Sequence, residues 1–367
     1  MKIVLVVGAR PNFMKVAPIA AALRRHPERH APVVVHTGQH YDYRMSEIFF
    51  RDLELAPPDH YLEARTDGPA PQMGDIMAKF DAVLAAEAPD LVVVVGDVSS
   101  TVACALAAAA RQVPVAHVEA GLRSGDRRMP EEINRVATDA IADMLFTHCA
   151  DADANLAAEA VPARCIFRVG NLMIDTLVRC RHRAAGSAVL ADWGLEERGY
   201  VLVTLHRPAN VDDPGTLAGI LGAFERIQAC LPVVFLAHPR TARNLERFGL
   251  LDRVRSMPRL QLREPVGYVD MLRLQEAARL VLVDSGGIQE ETTALGVPCL
   301  TMRDNTERPI TVTEGTNTLV GADPERIAAA ALRAIEGGGK RGRVPELWDG
   351  HSAERLVAVL DRGAVRR

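Results

Sequence analysis

An α/β protein of two doubly wound domains is the fold class that the sequence predicts, and three observations carry it. Short continuous apolar runs alternate with helix-compatible stretches. The runs are apolar at nearly every position, as strands covered on both faces must be. The strand–turn–helix pattern also restarts after Gly199 as though from the beginning. A chain of 367 residues is long enough for two domains of ordinary size.

Ile3–Val7 is the first apolar run; Gly8 turns the chain, Lys15–Arg25 has helical patterning, and Val33–His36 is a second β-rich run, together a β-α-β unit. Leu91–Val95, Thr101–Arg111 and Val115–Val118 repeat the unit, with Gly96 at the turn and Ser99 or Ser100 placed to cap the helix. Ile133–Phe146 continues in a helical, apolar pattern, and Ile166–Val169 is the last strand of the first half before Gly170. The boundary is expected between Thr176 and Gly199, around the charged run Arg179–Arg183, giving domains 1–176 and 177–367. Tyr200–Thr204 restarts the pattern, followed by a helix around Leu217–Gln228 and a strand at Pro232–Ala237. Leu280–Asp284 and Val297–Met302 flank a glycine-bearing turn and the helix Gly286–Leu295. Pro324–Ile335 and His351–Asp361 read as helices, and the sequence leaves the last one free to cross back onto the first domain.

Composition narrows the function classes. Hydrophobic residues make up 48% and charged residues 25%, as in an ordinary folded globular chain. A net charge of -4 supplies no field for nucleic acid or an anionic membrane, and 4% aromatics offer no stacking platform for bases, so neither partner is expected. Cys104, Cys149, Cys165, Cys180, Cys230 and Cys299 show no CxxC or finger-like Cys/His spacing, which favours reduced, packed thiols over disulfides or a metal site. The opening MKIVLVVGARP is too short an apolar run for a membrane span and has no cleavage pattern after it. A buried first strand in a cytoplasmic protein is the expectation.

The chemistry-bearing residues lie at the ends of the strand candidates. In Gly8–Lys15 a glycine turn enters a helix, and Arg10 and Lys15 are candidates to face an anion such as phosphate; an ordinary turn is the equal alternative. Asp97 stands at the mouth of the sheet, where parallel-sheet crevices hold ligands, although an acceptor at a helix entrance fits the pattern as well. Glu119 in His117–Arg123 and Glu131 in Pro130–Arg135 add two more carboxylates, which with Asp97 suit exchange of a carbon-bound proton if the loops converge. Arg135 beside them is a candidate substrate ligand, whereas Glu132 reads better as a helix-start or ion-pair residue. His206, at the end of Tyr200–Thr204, and the stretch His238–Arg240 are candidates to contact a diphosphate from the second half, with structural roles open for both histidines. Asp284–Glu291 is the strongest anion site: Ser285, Gly286 and Gly287 let backbone N–H groups approach phosphate at a helix start, and Glu291 lies where it can grip ribose hydroxyls. Arg308 adds a positive charge on the loop Met302–Pro309. This set favours a nucleoside diphosphate over a nicotinamide dinucleotide, and no cofactor or metal is expected.

In order along the chain, GARPNFMK, GDVSSTVA, HVEAGLRS, PEEINR, TLHRP, HPR, DSGGIQEE and RDNTERP resemble the non-hydrolysing UDP-N-acetylglucosamine 2-epimerase family, and they span nearly the whole sequence. The resemblance implies two Rossmann-like domains in a GT-B arrangement with a central ligand cleft, usually as a homodimer, acting on a UDP-N-acetylhexosamine. It implies that Arg10, Lys15, His206, Ser285, Gly286, Gly287, Glu291 and Arg308 serve the UDP portion or its departure, with His238 and Arg240 in support. Asp97, Glu119 and Glu131 would lie at the sugar. The implied reaction removes the C2 proton, expels UDP to give a 2-acetamidoglucal, and adds UDP back after reprotonation on the opposite face.

The sequence departs from the family in several places. Asn12 stands where many relatives carry an acid. Gln39–Met45 departs from the glutamine-bearing pattern of members regulated by a second substrate molecule. The loop Gly125–Pro130 is short, and Val266 and Met271 replace a glutamine and phenylalanine near uracil in several relatives. Alternatives are an epimerase of another UDP-2-acetamido sugar, a hydrolysing epimerase, a GT-B glycosyltransferase, and a non-enzymatic UDP-sugar sensor.

Overall fold

The computed structural model describes residues 1–38, 52–64 and 68–363, the Arg10 side chain excepted; the segment Gln39–Met45 lies outside the described residues. The chain divides into two compact units, Met1–Arg179 with Glu346–Arg367, and Cys180–Pro345.

The first unit runs β1 (Lys2–Val7), α1 (Arg10–Arg24), β2 (Ala31–His36), β3 (His60–Tyr61), α2 (Pro69–Glu87), β4 (Leu91–Val95), α3 (Ser99–Ala110), β5 (Val115–Val118), α4 (Pro130–Ile141), β6 (Met144–Thr147), α5 (Ala150–Ala158), β7 (Ile166–Arg168) and α6 (Leu172–Ala185), which crosses the division between units. Its strands form one parallel sheet in the order β3-β2-β1-β4-β5-β6-β7. Every residue of β4 and of β5 is buried, which is why those runs show no polar alternation. Three elements differ from the sequence expectation. Helix α1 starts at Arg10, five residues before the expected start, because Pro11 in the first turn is pre-set for helical φ and its missing N–H costs nothing there. Ser99 and Ser100 do not cap α3 from outside: the cap position is Val98, without a side-chain bond, and Thr101 instead donates its hydroxyl to the Val95 carbonyl at 2.9 Å. The run Ile133–Phe146 is not one helix. Asp143 bonds Val115 through both its backbone N–H, at 2.8 Å, and its side chain, at 2.9 Å, so the chain leaves α4 to enter β6 beside β5.

The second unit runs β8 (Val201–Leu205), α7 (Pro208–Val211), α8 (Pro214–Cys230), β9 (Val233–Ala237), α9 (Pro239–Arg247), β10 (Leu260–Arg263), α10 (Tyr268–Ala277), β11 (Leu280–Val283), α11 (Gly286–Leu295), β12 (Cys299–Thr301), α12 (Pro309–Thr313), β13 (Asn317–Leu319) and α13 (Pro324–Arg333). Its sheet is parallel in the order β10-β9-β8-β11-β12-β13. The strand period sorts the apolar runs onto two faces: Val201, Val203, Leu205, Val233, Phe235, Leu280 and Leu282 enter one core, and Leu202, Val234, Leu236, Val281 and Val283 enter another. The apolar pattern does not predict β10 and β13, which are short, mix polar and apolar residues and are only partly buried.

Helix α14 (Ser352–Asp361) belongs to the first unit and packs along α1, with Arg25–Glu354 at 2.9 Å and His30–Asp361 at 2.9 Å. Its first turn is held by Asp175, whose carboxylate accepts the N–H groups of Ser352 at 3.0 Å and Ala353 at 2.7 Å. The six cysteines are free, and all but Cys230 are buried. Among the described residues no helix is long and apolar enough to cross a membrane.

Both sheets reverse direction of growth at their first strand. β1 is flanked by β2 and β4, and β8 by β9 and β11. At such switch points the loops after adjacent strands diverge and open a crevice at the carboxyl ends. In each unit, candidate residues gather at that point.

Candidate active site

In the first unit the crevice is built by the loops after β1, β4 and β5. Asn12 closes the loop after β1: its carbonyl oxygen accepts the N–H groups of Gly8 at 3.1 Å and Ala9 at 2.8 Å, and its amide donates to the Val95 carbonyl at the end of β4 at 3.0 Å. An ionised acid could fill the accepting half of that role but not the donating half. One turn further along α1, the Lys15 ammonium pairs with the Glu119 carboxylate, both buried. Glu119 sits at φ +71°, a conformation costly for a side-chain-bearing residue, and its N–H is held by the Phe146 carbonyl at 3.0 Å. A Cβ placed on Gly96 would meet Glu119 Oε2 at 3.4 Å, Lys15 Nζ at 3.4 Å and Asn12 Nδ2 at 3.5 Å, so these three groups converge on the turn that precedes Asp97. Lys15 and Glu119 also line a small cavity with Val118, Phe146, His148 and Asn171.

Asp97 pairs with Arg135, whose side chain is only 1% exposed, and its backbone carbonyl accepts from the Asn134 amide at 2.9 Å. α4 therefore reaches across to the Asp97 turn through consecutive residues. Glu131 lies in the first turn of α4 and is partly buried. Glu132 instead clasps the loop before α4, its carboxylate accepting the Ser124 N–H at 2.8 Å, the Ser124 hydroxyl at 2.9 Å and the Gly125 N–H at 3.1 Å. Beneath the crevice, His117 touches the Asp139 carboxylate through Nδ1 at 2.6 Å and the Gly96 carbonyl through Nε2 at 2.8 Å. Burial alone would raise the Asp139 carboxyl, but His117, Arg123 and the Gly121 N–H outweigh it and hold the group below the usual carboxylate range.

In the second unit the equivalent loops follow β8 and β11. Asp284, fully buried, accepts from His206 Nδ1 at 2.7 Å, from the His206 N–H at 2.9 Å, from the Arg207 N–H at 2.8 Å and from the Asn210 amide at 3.1 Å. Desolvation pushes Asp284 up, yet the His206 ring and these N–H groups keep its carboxyl below the ordinary value. The bond fixes the ring and leaves Nε2 on the side away from Asp284. The His238 ring lies 5.8 Å from that of His206, and His238 Nδ1 accepts the Arg240 N–H at 3.2 Å. Arg240 itself is paired with Asp212 on the surface.

Ser285 occupies the cap position of α11, where its side chain makes no cap bond, and Gly286 and Gly287 open the helix. Arg308 lies against that opening: a Cβ on Gly286 would fall 2.4 Å from Arg308 Nη1, so the approach requires glycine. The guanidinium is held from behind by Glu290 at 3.0 Å and Glu307 at 2.5 Å. Burial raises Glu307, but Arg308 and Arg303 together carry it far below the usual range. Glu291, further along α11, accepts from the Gln275 amide at 2.7 Å.

The structure thus brings together Lys15, Glu119, Asp97 and Arg135 in one unit, and in the other places His206 near His238 and Ser285–Gly287 against Arg308. Arg240 is engaged elsewhere, and the Arg10 side chain lies outside the described atoms. Sequence reasoning misses Asp284 as the orienting partner of His206, Asn12 as the clasp between β1 and β4, and the His117–Asp139 pair. Asp284 ends a predicted strand and His206 follows one by two residues, which is the signal available for them; Asp139 lies in the last turn of α4 and offers none.

Comparison with known proteins gives one consistent result. The profile of the UDP-N-acetylglucosamine 2-epimerase family matches residues 21–361. A UDP-N-acetylglucosamine 2-epimerase of Methanocaldococcus jannaschii is 41% identical over 369 residues, covering 99% of this chain and all of that protein. A UDP-2,3-diacetamido-2,3-dideoxy-D-glucuronate 2-epimerase of Pseudomonas aeruginosa is 42% identical over 338 residues, covering 91% of this chain and 92% of that one. The crystal structure of the Methanocaldococcus jannaschii UDP-GlcNAc 2-epimerase in complex with UDP-GlcNAc and UDP superposes with a TM-score of 0.91 at 40% identity, over 99% of this chain and 100% of that chain. A glycosyltransferase of Rickettsia africae, at 11% identity and a TM-score of 0.57, shares the two-unit GT-B-like fold alone.

Proposed function

The chain belongs to the UDP-N-acetylglucosamine 2-epimerase family, and from that membership we propose that it interconverts UDP-N-acetylglucosamine and UDP-N-acetylmannosamine. The observation that carries the chemistry is the gathering of Glu119 and Asp97, each paired with a buried cation, at the switch point of the first unit. Inversion at C2 needs proton exchange on both faces of the sugar, and two carboxylates held on separate loops meet that need. One carboxylate takes the C2 proton; the C–H electron pair becomes the C1–C2 double bond as the C1–O bond breaks, and UDP leaves with the electrons of that bond. Protonation of C2 on the other face and return of the UDP oxygen to C1 complete the inversion. Glu131, on the helix that carries Arg135, supports or shares the proton transfer.

The second unit is the UDP receptor in this reading. The opening of α11 offers backbone N–H groups to the phosphates, Arg308 adds charge, and Glu291, which also accepts from Gln275, takes the ribose hydroxyls. His206, its ring fixed by Asp284, donates through Nε2 to the departing diphosphate oxygen. Lys15 and Arg10 supply positive charge from the first unit; His238 supports His206, while Arg240, bound to Asp212, contributes least. A homodimer in the cytoplasm is the proposed working form.

A second substrate is favoured by one observation: the Pseudomonas aeruginosa relative acts, by its name, on a UDP-2,3-diacetamido sugar acid, and its identity matches that of the N-acetylglucosamine enzyme. A proton NMR time course in D2O, with each UDP-sugar in parallel, tests both. UDP-N-acetylmannosamine carrying deuterium at C2 is the expected product. Turnover of the diacetamido uronate alone would move the assignment to that sugar, free N-acetylmannosamine would mean hydrolysis, and tight UDP binding without exchange would mean a sensor.

A further inference from the structure

His117 lies inside β5, fully buried, and neither of its ring nitrogens faces a donor. Nε2 is 2.8 Å from the Gly96 carbonyl, which can only accept, so Nε2 carries a hydrogen. Nδ1 is 2.6 Å from Asp139 Oδ1, and Asp139 is held as a carboxylate by Arg123 at 2.7 Å and by the Gly121 N–H at 3.0 Å, so Nδ1 carries a hydrogen as well. A ring with both nitrogens protonated is a cation. The charge is matched in place by the carboxylate, as a buried charge must be.

What this pair holds is more telling than its charge. Through Gly96 it fixes the turn that carries Asp97. Through Gly121 it fixes the turn that carries Glu119, where the chain passes through two left-handed residues, Glu119 at φ +71° and Gly121 at φ +79°. Asp139 is itself part of α4, the helix that bears Glu131 and Arg135. Gly121 has no room for adjustment, since a Cβ there would lie 2.4 Å from the Ala152 carbonyl. Asp97, Glu119 and Glu131 stand on three separate segments, and a single buried ion pair touches all three.

We propose that His117 and Asp139 are positioning residues that set the spacing of the three carboxylates, acting as one unit through a ring that carries hydrogen on both nitrogens. The proposal rests on the C2 proton-transfer reading of those carboxylates. The other charged groups around the pair are Arg123 on Asp139, Lys15 and Glu119 beside Gly96, and the Asp97–Arg135 pair beyond it. None offers His117 an alternative acceptor in the structure.

The test compares the wild-type enzyme with His117→Gln, Asp139→Asn and the double variant. Deuterium incorporation at C2 is followed at saturating UDP-N-acetylglucosamine, and UDP affinity is measured by calorimetry. Wild-type exchange establishes the parent reading independently of the variants. Each single variant is expected to lose about 100-fold in exchange rate, the cost of misplacing a reacting group by about 1 Å. UDP affinity should fall much less, by about fivefold at most, since the proposed UDP ligands other than Lys15 and Arg10 lie in the other unit, and the double variant should be no slower than the worse single one. Folded variants within about threefold of wild type, or an equal fall in exchange and UDP affinity, would overturn the proposal. Should the variants fail to fold, ¹⁵N NMR of histidine-labelled wild-type protein at pH 8 decides: a His117 ring with both nitrogens protonated upholds it, and a neutral tautomer refutes it.

Discussion

The two units carry nearly the same sheet and opposite chemistry. In the first, carboxylates gather at the switch point, each paired with a buried cation, Glu119 with Lys15 and Asp97 with Arg135. In the second, the switch point presents a histidine, an arginine and a helix start, and the carboxylates stand behind: Asp284 behind His206, Glu290 and Glu307 behind Arg308. Strand order does not distinguish them, since β3-β2-β1-β4-β5-β6 and β10-β9-β8-β11-β12-β13 are the same path. The difference lies in the side chains that the loops after the strands carry. A fold of this kind fixes where a site will be, and the residues after its strands decide what the site does.

The contrast is broken most directly at Glu119. Glu119→Gln and Asp97→Asn should each lower C2 exchange by about 10²- to 10⁴-fold, the usual worth of a positioned acid or base, with UDP affinity retained. Calorimetry with UDP beside deuterium exchange checks the split, and parallel losses would assign these carboxylates to binding or folding.

A smaller effect is expected at the His206–Asp284 pair of the second unit. Asp284→Asn keeps one accepting oxygen for the loop N–H groups but loses the carboxylate that pairs with the His206 ring, and should reduce turnover by about 10- to 100-fold. His206→Asn should slow turnover at least as much; if Asp284→Asn were silent while His206→Asn was not, the ring would need no orienting partner.

Gly286→Ala sharpens the comparison on the binding side. The new methyl falls 2.4 Å from Arg308 Nη1 and must displace the guanidinium. UDP affinity should drop by about tenfold, for an overpacking cost of about 1–3 kcal/mol. The rate at saturation should change much less, and titration followed by single-turnover kinetics separates the two.

The mildest difference is one of acid stability, and here the units should behave alike. Asp139 in the first and Asp284 in the second are both held below the ordinary aspartate value by their partners. The unfolded chain therefore takes up protons first as pH falls. The stability these groups supply is complete above about pH 4 and is lost as pH drops through their lower folded-state values. Thermal melts between about pH 5 and 2 should show a shallower fall in Tm for Asp139→Asn and Asp284→Asn than for wild type. A response from only one of them would mark its unit as the one that yields first to acid.

Much of this organisation is legible in the sequence. Leu91–Val95, Val115–Val118 and Gly286–Leu295 fall where the pattern puts them, because buried parallel strands and a glycine-opened helix leave local signatures. β10 and β13 leave none, since their short runs of mixed polar and apolar residues depend on pairing with a neighbour. The strand-end residues are legible for the same reason as the strands. Their partners are not: His117 and Asp139 are 22 residues apart, and His206 and Asp284 are 78 apart. Such pairings exist only once the sheet order is set. The contrast between Glu131 and Glu132 is intermediate, because helical geometry separates neighbouring side chains, but only the Ser124–Gly125 turn shows what Glu132 is for.

The return of α14 to the first unit also has a consequence for the order in which the protein is made. Cys180–Pro345 is one uninterrupted stretch, whereas the first unit includes a segment that leaves the ribosome only after the whole of the second has been synthesised. Until that segment arrives, α1 lacks its cover, Asp175 lacks the two N–H groups it binds, and the His148 carbonyl lacks the Trp348 indole that donates to it at 2.9 Å. The half of the molecule translated first is thus the half completed last.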